Sequence, residues 1–137
     1  MGILLELLTS ENFRKRPGMY CGRNSFGVVG PWLRGLAYGI RQAFPDQPDD
    51  LEGFREWLHM TLDAPGNVDW TGIIAWKFGE QDAGTQKLFE QFDLFRNDTA
   101  QRGVEAVIHA HREYEIRRYG SPVSSRLGGI GQQARQP

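Results

Sequence analysis

The chain has 137 residues, 39% of them hydrophobic, with 16 basic and 17 acidic side chains and a formal charge of −1. That suffices for one domain with one core, and a single cysteine excludes a disulfide framework or a thiolate zinc cluster and fits a reducing cytoplasm. No apolar run approaches the roughly 18 residues of a membrane span, and "MGILLELLTS" lacks the positive flank of a signal peptide.

Along the chain the apolar spacing is helical nearly throughout. Ile3, Leu4, Leu7 and Leu8 predict a short first helix that stops near Thr9–Asn12, and Pro17-Gly18 then breaks the chain. A second helix is expected from Ser25 or Pro31, with Trp32, Leu36, Ile40 and Phe44 on one face. "FPDQPDD" ends it. Asp49 or Asp50 is placed to cap a third helix carrying Leu51, Phe54, Trp57, Leu58 and Leu62. Asp69 is placed to cap a fourth, bearing Trp70, Ile73, Ile74 and Phe78; its aromatic and β-branched content also suits a strand, but the spacing is helical. Residues 84–96 form a fifth helix with Leu88, Phe89, Phe92 and Phe95 inward. After "NDTAQRG" a sixth carries Val104, Val107, Ile108, His111 and Tyr114 to about Tyr119. The expectation is an all-α, compact single-domain bundle of about six helices over residues 1–119. The Gly, Ser and Gln content of residues 120–137 predicts a flexible tail. The stripe of Trp32, Trp57, Trp70, Trp76, Phe89 and Phe92 reads as core.

Charge is unevenly distributed. Residues 1–44 hold six arginines and lysines against two acids, residues 45–98 four against twelve, and residues 99–137 six against three. An acidic middle between basic ends argues against a general nucleic-acid binder and raises an acidic face that meets a basic partner. Asp49, Asp50, Glu52, Glu56, Asp82, Glu90 and Asp93 are the candidates; solvated helix faces that neutralise one another are the plainer alternative. The cluster Arg14, Lys15, Arg16 with Arg23 could touch phosphates, but a ready use is pairing with the acidic middle segment.

Chemistry-bearing patterns are sparse. "HAHREYE" sets His109 with Glu113 and His111 with Glu115 at i, i+4, a spacing that can begin a metal site or support acid–base work. The two pairs point about 200° apart and cannot share one ion, and His59 lies on another predicted helix, so surface charge pairs are expected. Cys21 stands among cations but near no histidine in sequence, which leaves cysteine catalysis without support. No P-loop, nucleophile elbow or Ser-His-Asp pattern is present, and no cofactor or metal is expected.

"RKRPGMYCG" is similar to the "RKRPGMYIG" of bacterial type II topoisomerase ATPases. Those carry a Glu and an Asn on the next helix, whereas "GPWLRGLAYGIRQAF" has neither, which sets ATP hydrolysis aside. Residues 3–96, through "RPGMYCG", "FREW" and "WTGIIAW", resemble a group of small bacterial RPGMYxG-motif proteins associated with toxin-immunity and interbacterial-conflict loci. The chain departs at Cys21, where a branched apolar residue is usual, and at Asp69-Trp70, where Ser-Trp is usual. The resemblance implies a role of the immunity type; together with the charge pattern and the missing catalytic motifs it gives the expectation of a non-catalytic, cytoplasmic protein-binding module that neutralises a basic toxin through the acidic surface of residues 46–56 and 80–98. Alternatives are an adaptor of a larger assembly that uses its C-terminal tail, or a small enzyme or metal binder built on His109, His111, Glu113, Glu115 or Cys21. Within the motif, Arg16, Pro17, Gly18, Met19 and Tyr20 are expected to form an architectural turn, with positive φ at Gly18 and with Met19 and Tyr20 buried.

Overall fold

The computed structural model of the chain describes residues 2–121, and the tail expected over 120–137 lies outside them except for Gly120 and Ser121. The described residues are all-helical. In order they form α1 (Ile3–Leu8), α2 (Glu11–Lys15), α3 (Gly18–Cys21), α4 (Phe26–Ala43), α5 (Phe54–Leu62), α6 (Trp70–Phe78), α7 (Asp82–Arg102) and α8 (Val104–Tyr119).

Eight helices replace the expected six because the segment read as a loop after α1 coils twice. Ser10 accepts the Phe13 N–H and opens α2, and Pro17 then leads into the single turn of α3. The third expected helix begins later than Asp49 or Asp50 suggested. Asp50 turns away from α5 and accepts the Leu5 N–H at 2.9 Å, which satisfies a first-turn donor of α1 instead. Asp69 does cap α6, accepting the Gly72 N–H at 2.8 Å. The fifth helix runs through the expected "NDTAQR" loop to Arg102. Asp98, a residue that competes for backbone donors, is occupied by Trp57 Nε1 at 3.0 Å and by both arms of Arg102.

α7 is the spine, packed against α4, α5, α6 and α8, while α5 also lies against α6 and α8 and α1 against α4. The core joins Leu8, Phe13, Phe26, Leu33, Phe54, Leu58, Ile73, Ile74, Leu88, Phe92 and Val107, all fully buried. Each contributes about 1.5–3 kcal/mol relative to an exposed position. Two expected core aromatics are corrected. Phe44 and Trp76 are about half exposed, because α4 turns Phe26, Val29 and Leu33 inward and α6 turns Ile73 and Ile74 inward.

The loop between α6 and α7 also organises the N-terminus of α4, where the Phe26 and Gly27 N–H groups donate to the Gln81 and Glu80 carbonyls. Thr85 reaches back to the Asn24 carbonyl at 2.6 Å. Gly84 comes so near the Gly79 carbonyl that a Cβ would lie 2.3 Å from its oxygen.

Candidate functional site

Two places gather functional side chains: the corner formed by α2 and α3, and the buried contact of α5 with α8.

At the corner the RPGMY turn is built differently from the expectation. Pro17 is the buried residue, Cys21 packs against the core, and the single turn of α3 points Met19 and Tyr20 outward, 77% and 46% exposed. Gly18 is helical, with Asn24 Oδ1 accepting its N–H at 2.7 Å; Gly22, at φ 99°, holds the left-handed position. Arg16 contributes through its backbone, whose carbonyl accepts the Met19 N–H, while its guanidinium is exposed.

Met19 separates two grooves. One, of about 500 Å³, is lined by Asn12, Lys15, Arg16, Met19 and Tyr20. The other, of about 270 Å³, is lined by Arg16, Gly18, Met19, Gly22, Arg23 and Asn24. Beneath them, Tyr20 meets the buried Phe13 edge-on at 5.1 Å, so the exposed aromatic is anchored. Lys15 pairs with Glu11, but Arg16 and Arg23 have no carboxylate partner among the described residues. The corner is thus apolar at its centre and cationic around it.

Arg14 points elsewhere. Its guanidinium forks onto Asp93 with two bonds of 2.7 Å, donates from Nε to the Leu8 carbonyl and covers the Phe89 ring. This is the intramolecular pairing that the basic cluster suggested, and it locks α2 to α7. The bond from Arg14 holds the Asp93 carboxyl below its ordinary range.

The other candidate acids are dispersed among local tasks. Asp50 caps α1, Asp49 accepts the Leu51 N–H, Glu90 pairs with Lys87, and Glu56 lies 4.0 Å from Arg55. Glu52 and Asp82 are exposed.

The histidines divide in an unexpected way. His109 and Glu113 form the exposed pair read from the sequence, 3.2 Å apart. His111 and Glu115 do not: they are 3% and 1% exposed, 3.5 Å apart, and they face α5. There His59, fully buried on the neighbouring helix, places Nδ1 2.8 Å from His111 Nε2. If His111 donates from Nδ1 to Glu115, its Nε2 accepts from His59 and leaves His59 Nε2 as a buried acceptor. That atom has no hydrogen-bond partner.

Rings close the cluster from above. Tyr119 stacks on His59 at 6.3 Å, Tyr114 meets it edge-on, and Arg118 bridges Tyr114, Asp63 and the Ala64 carbonyl. Burial lowers the pKa of both imidazoles, which keeps them neutral near pH 7. A carboxylate–imidazole–imidazole chain of this kind resembles a proton relay, yet the grooves described above are lined by other residues.

The sequence carried only half of this site. The i, i+4 spacing exposed the His111–Glu115 pair, but His59 stands 52 positions away and only the packing of α5 on α8 joins it. Cys21 carries no activation: burial pushes its thiol up to about 11. No protein-family model, curated protein or solved structure matches the chain. Among the described residues no helix is long and apolar enough to cross a membrane.

Proposed function

We propose that this chain is a non-catalytic protein-binding module of the immunity type that its sequence resembles, and that it grips its partner at the α2–α3 corner. The observation that carries this reading is the exposure of Met19 and Tyr20 between two grooves edged by Lys15, Arg16 and Arg23. An exposed methionine and an anchored tyrosine supply adaptable and rigid apolar contacts, and unpartnered arginines supply electrostatic selection. The partner is therefore a protein with an apolar pocket bordered by carboxylates. The acidic segment is less well suited, since Asp50, Glu56, Glu90 and Asp93 are already engaged within the chain. A raised Cys21 pKa accords with a non-catalytic role, and a cytoplasmic location accords with a free thiol.

Co-purification of the tagged chain from its native host tests this. The parent and a Glu52→Gln/Asp82→Asn variant should retain the same partner in stoichiometric amount, and Met19→Asp should lose it while melting at the parent temperature. A partner lost with the acids and kept by Met19→Asp would move the interface to the acidic segment. A parent chain that retains no partner would sink the proposal.

A further inference from the structure

We propose that His59, His111 and Glu115 form a buried three-ligand binding site for one divalent transition-metal ion of the zinc class. Two imidazoles and a carboxylate are donors that zinc, cobalt(II) and nickel(II) accept, whereas calcium and magnesium call for an all-oxygen set. The three side chains each offer a ligand atom, and these atoms all lie within 4.8 Å of one another. Bond lengths of 2.0–2.1 Å in a tetrahedral site set ligand atoms roughly 3.3–3.5 Å apart. The imidazole pair, at 2.8 Å, therefore has to open by about half an ångström. Glu115 closes the wider edges through its rotatable side chain.

Helix geometry favours the same assignment. His111 and Glu115 occupy successive turns of one face of α8, and α5 supplies His59 opposite them. One ion would therefore cross-link two helices far apart in sequence. An ion there would also be screened by the Tyr114 and Tyr119 rings, and with three protein ligands its fourth position would be filled by a water. His109 and Glu113 form a rival two-ligand pair on the solvent side of α8.

The full chain, stripped with chelator and dialysed, is titrated with Co²⁺ and then with Zn²⁺. One equivalent of Co²⁺ should give the visible absorption of a four- or five-coordinate ion, and Zn²⁺ should bleach it. Zn²⁺ should also raise the melting temperature at one equivalent per chain. His59→Ala, His111→Ala and Glu115→Gln should each weaken binding beyond the roughly 10–100-fold that loss of an outer partner costs, and His109→Ala should leave it unchanged. Should a buried variant fail to fold, the parent titration together with His109→Ala decides. A parent chain with no Co²⁺ absorption, or one whose binding disappears in His109→Ala, overturns the site.

Discussion

Cys21 sits part-buried beside three arginines in the sequence, yet its thiol is less acidic than an ordinary cysteine, at about 11 rather than 9.0. Desolvation sets this direction, because the sulfur packs against the core while Arg16 and Arg23 are exposed and Arg14 is engaged by Asp93. Alkylation of the native chain by iodoacetamide at pH 8 should be at least about tenfold slower than that of the unfolded chain. Equal rates would show an exposed, ordinary thiol. A similar contrast separates two aromatics in ring contact. Phe13 is fully buried and touches Tyr20, Trp32 and Phe89, so Phe13→Ala should cost about 3–5 kcal/mol. Tyr20 is half exposed, and Tyr20→Ala should cost only about 1 kcal/mol, chiefly the lost ring contact. Urea unfolding of the two variants measures the difference.

At the scale of elements, the helix ends decide where α6 and α7 begin and how closely they meet. Asp69 accepts the Gly72 N–H and the Thr71 hydroxyl, and its second oxygen lies 2.9 Å from Arg34. Asp69→Ala should lose about 0.5–2 kcal/mol, the usual worth of an N-cap. Arg34→Ala, on the exposed side of that pair, should fall within about 0.5 kcal/mol of the parent. The start of α7 is set by contact distance. Gly84→Ala would drive a methyl group into the Gly79 carbonyl, a backbone atom that has no rotamer to yield. A loss of about 1–3 kcal/mol is expected from such overpacking. An Ala variant as stable as the parent in thermal melts would show that α6 and α7 are free to separate.

Over the whole molecule, charge and burial combine into a stability that declines with acid in two stages. His59 and His111 have native pKa values below the ordinary 6.5, so the unfolded chain binds protons first as pH falls through that value. Their contribution is complete above about pH 6.5 and diminishes below it. Asp93 and Asp98 are likewise held below 3.8, by Arg14 and by Arg102 with Trp57, so their contribution is lost as pH falls below about 4. Melting temperatures measured in chelator should therefore drop between pH 7 and 5 and drop again between pH 4 and 3. His111→Gln should flatten the first stage and Asp93→Asn the second. A parent melting temperature constant from pH 7 to 5 would mean that the imidazoles are solvated.

Local rules were enough to reveal helices wherever a periodic apolar face met a capping side chain, as at Asp69 of α6. They also disclosed the exposed His109–Glu113 pair and the use of the basic cluster to bind the acidic segment through Arg14. Tertiary structure alone decided which side of each short element faces inward. A single turn such as α3 has too few residues for a period, so neighbouring helices determined that Pro17 is buried and that Met19 and Tyr20 face solvent. It alone drew Asp50 from α5 to the first turn of α1, because an acceptor binds whichever unsatisfied donor packing brings near. It alone joined His59 to His111. The i, i+4 rule describes neighbours on one helix, whereas contact across 52 residues exists only once α5 and α8 bury their faces together.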